Sequence, residues 1–374
     1  MTEPITGPIT YAGAGVDVEA GDRAVELMKA AVARTHAGVL TPVLGGIGGF
    51  AGLVDASVLR AYRRPLLATS TDGVGTKVAV AQALDTHHTV GVDLVAMVVD
   101  DIVVSGARPL FMTDYIACGR VVPERIAAIV GGIAAACERA GCALVGGETA
   151  EHPGLLEPTE YDLAGAAVGV VEADGLLGPH RVRSGDVVLA MASSGLHANG
   201  YSLVRRVFSA SGWDYGRYVD DLGRTVGEEL LEPTRLYAPD LIDLADALGE
   251  DLHALAHVTG GGLAANLARV MPHGVLATVD RSSWAPAPIF ALVRRLGRVP
   301  SADLERTLNM GVGMIAVVAP AAAERALGRL SERGVPAWVL GRVGDPPSSA
   351  RGPFVQGAKG VDGGAVVMVG EHRS

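Results

Sequence analysis

The chain has 374 residues, 49% of them hydrophobic, so it can bury a sizeable core, and wholesale disorder is excluded. Acidic residues outnumber basic ones 41 to 31, a formal charge of −10, which excludes a general nucleic-acid binder, since phosphate attraction needs a basic surface; a local basic site can still hold a small phosphorylated ligand. Cys118, Cys137 and Cys142 form no Cys-x-x-Cys pair, Met1 to Thr10 has no signal-peptide pattern, and the longest apolar stretch is too short for a bilayer, so a soluble cytoplasmic protein with no membrane partner is expected.

Glycine is frequent, at 50 residues, and comes in short runs that mark loops whose backbone approaches something closely. In chain order, Asp22 is placed to cap a helix running to about His36, with Val25, Met28 and Val32 as its apolar stripe. Lys29 lies at the edge of that stripe, where a lysine ordinarily reaches out to solvent. A glycine-rich loop at 45–52 contains Gly45, Gly46, Gly48 and Gly49. Leu66 to Ser70 reads as a buried strand, and Thr71-Asp72-Gly73-Val74-Gly75-Thr76-Lys77 as the loop leaving it. Residues 91–106 read as a helix carrying Asp93, Asp100 and Asp101 and stopped by Gly106. A strand (Leu110 to Ile116), a helix (Pro123 to Ala140), a strand (Ala143 to Glu148) entering Gly146-Gly147-Glu148-Thr149, and a strand (Ala164 to Glu172) close the first half.

Asp174 to Asp186, with several glycines and a proline, is the best domain boundary, separating 1–173 from 174–344. The second half opens with a strand (Val187 to Ala192), then Ser194-Gly195-Leu196-His197-Ala198-Asn199-Gly200 and a helix from about Tyr201. Thr259-Gly260-Gly261-Gly262 opens a helix over Leu263 to Val270. Met314 to Val318 is a strand, Ala321 to Arg333 a helix, and Trp338 to Gly341 a last strand. Residues 345–374 form a tail whose Gly-, Pro- and Ser-rich part is expected to be mobile. Helices and strands intermix in both halves, which gives a two-domain α/β or α+β class.

Three glycine-flanked acids beyond strand or helix ends are the candidate chemistry. On a helix, Asp93 and Asp100 share a face and Asp101 lies nearby. A carboxylate in apolar surroundings must be paired or hold a metal, so the alternatives are an Arg/Lys pairing, a solvated edge, or Mg²⁺ held with substrate phosphate oxygens. Asp72 sits with Gly73, Gly75, Thr76 and Lys77 at a strand exit, where such folds bind ligands, although Asp-Gly is also a common turn pair. Glu148 repeats the theme. His197 and Asn199, two apart on a loop, can face one ligand, against the plainer reading of His197 as a capping histidine. No Walker A or Gly-x-Gly-x-x-Gly dinucleotide pattern occurs.

Taken in order, these strings resemble the phosphoribosylformylglycinamidine cyclo-ligase family, also called aminoimidazole ribonucleotide synthetase. They are Ala14-Gly15-Val16-Asp17, Gly45-Gly46-Ile47-Gly48-Gly49-Phe50, Thr71 to Lys77, Asp93-Leu94-Val95-Ala96-Met97, Asp101 with Gly106-Ala107 and Pro109, Gly146 to Glu151, Ser194 to Leu203, Thr259 to Gly262 and Asn309 to Met314. The resemblance implies a two-domain fold whose N-terminal sheet forms a barrel across a homodimer. It also implies ATP-dependent closure of formylglycinamidine ribonucleotide to aminoimidazole ribonucleotide, through phosphorylation of the formyl amide oxygen. Asp72 and Asp101 resemble the acids that hold Mg²⁺, and Glu148 a further polar contact to ATP. The loops at 45–49 and 73–75 resemble phosphate cradles, with Thr76 and Lys77 beside the second, and Lys29 matches a lysine of the ATP region. His197 and Asn199, with Asp101, resemble the catalytic polar set. Three departures stand out: Ala12 replaces a usual lysine, Asp100-Asp101 stands for a common Asn-Asp pair, and Ala198 replaces a frequent serine. Thiamine-monophosphate kinase, a sister phosphoryl-transfer enzyme, lacks the Ser-Gly-x-His-x-Asn-Gly-Tyr string, and a catalytically dead scaffold would not need all these acids.

Overall fold

The structure, a computed structural model, describes residues 15–46, 48–345, 354–356 and 363–373. Tyr11 to Ala14, Ile47 and half of the expected tail lie outside the described residues.

The first domain opens with α1 (Val18–Arg34), a hairpin of β1 (Val43–Leu44) and β2 (Leu53–Val54), and the long strand β3 (Pro65–Gly73). A 3₁₀ turn at Gly75–Lys77 leads into α2 (Val78–Leu84), α3 (His88–Val103), β4 (Arg108–Cys118), α4 (Pro123–Ala140), β5 (Ala143–Glu151) and β6 (Tyr161–Glu172). The cap of α1 is Asp17, whose Oδ1 accepts from Ala20 N at 3.0 Å, so the helix starts a turn before the expected Asp22. Pro123 at the first turn and a left-handed Gly141 after the last fix the ends of α4 where the sequence placed them.

The sheet order is β3-β6-β4-β5, antiparallel except for the β4–β5 pair, which α4 connects. Thr71, Asp72 and Gly73, expected in a loop, remain in β3 and pair through to Ala164. Likewise Gly146 to Glu151 continue β5 and pair with β4. Glycine does not break either strand, because neighbours fill the space: a Cβ on Gly147 would lie 2.2 Å from Asp114 Oδ1. α3 packs against β3, β6 and α4. On the opposite face Leu67 is 63% and Tyr115 42% exposed.

The second domain begins with β7 (Val187–Ala192) and α5 (Tyr201–Ala210), followed by the short pair β8 (Tyr218–Val219) and β9 (Arg224–Thr225). Then come α6 (Val226–Leu230), α7 (Ala238–Leu248), β10 (Leu252–His257), α8 (Gly262–Ala268), β11 (Leu276–Asp280), α9 (Pro288–Gly297) and α10 (Ser301–Thr307). The chain finishes with β12 (Val312–Val318), α11 (Ala323–Glu332), β13 (Ala337–Gly344), β14 (Val355–Gln356) and β15 (Ala365–Val369). The seven-stranded order is β10-β12-β7-β13-β11-β15-β14. Both faces of this sheet are covered. Leu189 and Met191 join one core, while Val188 and Ala190 join another with Leu263 and Leu267 of α8. Double coverage explains why β12 is an unbroken apolar run with every residue buried.

The tail expectation needs correction. β13 is not the last strand: Ala365–Val369 pairs parallel to β11 inside the sheet. An apolar Ala-Val-Val-Met-Val run can bury its side chains there, which the Gly- and Pro-rich stretch before it hid in the composition.

Candidate functional site

The three acids of α3 have different fates. Asp93 is fully buried, and its Oδ1 accepts from Lys77 Nζ at 2.9 Å, Thr234 N at 2.8 Å and Thr234 Oγ1 at 2.6 Å. Asp100, one helical face on, accepts from Tyr237 N at 3.0 Å, and burial pushes its carboxyl up to about 7. Both are therefore spent on the seam between the domains. The carboxyl expected to add a charge beside the metal is instead buried in this seam, at Asp100. Asp101 alone keeps an accessible carboxylate, 39% exposed, with Oδ1 2.9 Å from Nδ1 of His257.

His257 ends β10 immediately before Val258 and Thr259-Gly260-Gly261-Gly262. Burial pulls its pKa down, but the Asp101 hydrogen bond and the charges of Asp100, Asp101 and Asp72 outweigh burial and hold it above the ordinary histidine value. Asp72, at the end of β3, is exposed, and its charge is the smallest of those that raise His257. The Nε2 of His257 is buried and has no partner among the described residues. The sequence motifs do not single out His257, although it shares the glycine-flanked strand-end position of the candidate acids.

His197 sits in the loop between β7 and α5 with φ +62, a left-handed conformation uncommon for a residue with a side chain. Its Nε2 accepts from Ser194 N–H at 3.1 Å, so the ring proton resides on Nδ1, which is buried without a partner among the described residues. Burial, then the charges of His257, Lys77 and Arg235, hold it well below the ordinary histidine value, so the ring is neutral at pH 7. Gly313 of β12 makes room for it: a Cβ there would lie 2.5 Å from His197 Cε1 and 2.1 Å from the Tyr237 hydroxyl. Asn199 accepts from Gly260 N at 3.2 Å and faces Met97 Sδ of α3 at 3.3 Å. It therefore links the loop after β7, the turn after β10, and α3. Asn309 bonds Gly195 O at 2.9 Å and so fixes the start of the same loop.

A second feature lies across the first sheet. A cavity of about 760 Å³ is lined by Gly46, Gly48 and Gly49, by Gly147 and Glu148 of β5, and by Met28 of α1. Asp114 also lines it, and burial pushes its carboxyl up to about 7. Glu148 does not gather with Asp72. Its strand and β3 are opposite edges of the four-stranded sheet, three strand spacings or roughly 14 Å apart. Lys29 is exposed on α1 and pairs with Glu26 rather than lining the cavity, and Gly45 is likewise outside the lining. Gly73 packs under Leu163 O, and Gly75 takes φ +67. The Thr76 hydroxyl meets Ser202 Oγ at 3.3 Å across the domains. Lys77, expected beside phosphates, is fully buried, with its ammonium bonded to Asp93, His197 O and Glu232 O. It is a corrected assignment: no donor remains to reach a ligand, since an ammonium carries three.

Chemically, Asp72 and Asp101 offer two carboxylates with open positions. Among the described residues, no group of three or more His, Cys, Asp or Glu side chains is placed to hold a metal ion. That donor set fits Mg²⁺, which binds through one or two carboxylates and completes its shell with phosphate oxygens and water.

Two family models match the chain: AIR synthase related protein, N-terminal domain, over residues 54–171, and its C-terminal domain over 183–351. A phosphoribosylformylglycinamidine cyclo-ligase of Geobacillus kaustophilus is 49% identical over 334 residues, covering 89% of this chain and 95% of the relative. That of Sorangium cellulosum is 48% identical over 347 residues, covering 92% and 98%. Among solved structures, a hydrogenase maturation protein HypE in complex with ATP matches with TM-score 0.61 at 20% identity, covering 95% of this chain and 92% of that one. A thiamine-monophosphate kinase of Stenotrophomonas maltophilia matches at 0.60 and 21%, covering 93% and 96%. The two structures share the fold, and the sequence relatives share far more. The chain belongs to the phosphoribosylformylglycinamidine cyclo-ligase family.

Proposed function

We propose that the interdomain cleft closes the imidazole ring of aminoimidazole ribonucleotide from formylglycinamidine ribonucleotide, with ATP phosphorylating the formyl amide oxygen. Amide oxygen is a poor leaving group. Once phosphorylated, it departs as phosphate when the amidine nitrogen attacks the formyl carbon. The observation that supports this reading is the Asp101–His257 pair, which joins α3 to the end of β10, together with a neutral His197 on the loop that Asn199 ties to the turn after β10.

Asp72 and Asp101 would hold Mg²⁺, which supplies charge neutralisation at the transferring phosphate. Asp101, fixed by His257, presents its second oxygen outward. His197 offers Nδ1–H as a neutral hydrogen-bond donor, suited to an amide oxygen that gains charge or to the phosphate that leaves with it. Because Ser194 N–H occupies Nε2, this ring donates rather than accepts in the resting site. Asn199 positions the turn at Gly260 and can face the amidine. The cavity under Gly46, Gly48, Gly49 and Glu148 has the size of a nucleotide site. We assign it to ATP; Gly73, Gly75 and Thr76, like Lys29 and Gly45, do not line it and would meet the phosphates beyond it. The sheet face that exposes Leu67 and Tyr115 supports a homodimer with the two sheets closing a barrel. We propose that the enzyme works in the cytoplasm.

The purified protein should release ADP from MgATP only when formylglycinamidine ribonucleotide is present, and not with thiamine monophosphate. Equal ADP release without the formyl substrate would contradict the proposal.

A further inference from the structure

Lys77 and Asp93 carry opposite charges that no solvent reaches, and neither is available to a ligand. They lie in the first domain, yet their remaining partners lie in the second. Lys77 Nζ donates to His197 O at 3.0 Å and to Glu232 O at 2.6 Å, and Asp93 collects both Thr234 donors. The Lys77 ammonium also stands 5.5 Å from the centroid of Tyr201, the first residue of α5. The loop thus gripped is strained. His197 is left-handed, flanked by Gly195 at φ +152 and Gly200 at φ +81, which adopt such angles without cost. Among the described residues the side chain of His197 makes one hydrogen bond, accepted from Ser194 N–H within its own loop. Its backbone carbonyl is therefore the handle by which the other domain holds it.

We propose that Lys77 is a positioning residue for His197: clamped by Asp93, it grips the His197 carbonyl across the domain seam and sets the imidazole for the reaction when the domains are seated. This rests on the reading of His197 as a group that touches the substrate. It also gives a use to the last residue of the Thr-Asp-Gly-Val-Gly-Thr-Lys string that the phosphate assignment does not.

Lys77→Met alone leaves the Asp93 carboxylate buried without its cation and can fail to fold. Lys77→Met with Asp93→Asn removes both charges and keeps an oxygen for Thr234. This double variant should melt within a few degrees of the unaltered protein. Its kcat should fall at least tenfold, with KM for ATP changed less than about twofold. Added to His197→Ala, the same pair should lower kcat by less than about twofold more, because the positioned group is already gone. A well-folded double variant with kcat within twofold of the unaltered enzyme would overturn the proposal, as would full multiplication of its effect with that of His197→Ala. Histidine-selective nitrogen-15 spectra read the positioning without turnover: the His197 ring resonances should shift in the double variant, and unchanged ones would overturn it. If His197→Ala proves fully active while those resonances still shift, the reading of His197 falls and its positioning by Lys77 stands.

Discussion

At the scale of single residues, environment separates side chains that look alike in sequence. Asp93, Asp100 and Asp101 lie within one helix, but two are consumed by the seam and one is left with an accessible carboxylate. Asp101→Asn should therefore lower turnover more than tenfold and raise the Mg²⁺ concentration needed for half activity, an order of magnitude drawn from metal-assisted transfer; a Mg²⁺ titration of steady-state rates checks both. His197→Ala should lower turnover by about a hundredfold, the usual scale for a positioned proton donor. ATP affinity, measured by calorimetry, should remain within about twofold. Asp101, Asp72 and His197, the residues proposed to act, stand out in the motifs themselves. Lys77 is not, because a lysine after two glycines looks like a phosphate ligand, and its burial depends on Asp93 and the Glu232 and His197 carbonyls, which are remote in sequence. His257 is legible in principle, since it precedes a glycine triplet at a strand end.

At the scale of elements, helix ends and buried strands follow local chemistry, while glycine runs mislead. α4 and β7 have the ends expected of them, because a proline, a left-handed glycine and a continuous apolar run each specify one conformation. The segments around Asp72 and Glu148 look like turns yet continue strands, because their pairing partners are supplied by β6 and β4. The end of the chain is the clearest case. β15 completes the second sheet, and beyond it His372 Nε2 lies 3.3 Å from Glu305, which also takes two hydrogen bonds from Arg281 at 2.7 and 2.8 Å. Burial would raise the Glu305 pKa, but the Arg281 and His372 contacts win and lower it from 4.5 to about 2. A carboxylate depressed in the fold adds stability above its unfolded pKa and loses it as pH falls from 4.5 toward 2. Glu305→Gln should cost roughly 2–3 kcal/mol at pH 7, with the gap to the unaltered protein narrowing through that acid window. Denaturant melts at several pH values measure it.

At the scale of the whole molecule, two sheets of different construction meet along a polar seam. The second sheet is covered on both faces, while the first leaves Leu67 and Tyr115 exposed on one of its faces. On the proposed homodimer, Leu67→Asp should give monomers by sedimentation velocity, since a carboxylate buried in an apolar contact face is costly. Composition and motif order carry the family and the two-domain outline. They do not show that Glu148 and Asp72 stand on opposite edges of the first sheet, because that separation is set by strand order. The chemistry joining them is open to one isotope experiment. Formylglycinamidine ribonucleotide carrying oxygen-18 in its formyl group should transfer that label to the inorganic phosphate as the ring closes. Phosphate free of the label, with the heavy oxygen released to water, would contradict phosphorylation of the formyl oxygen.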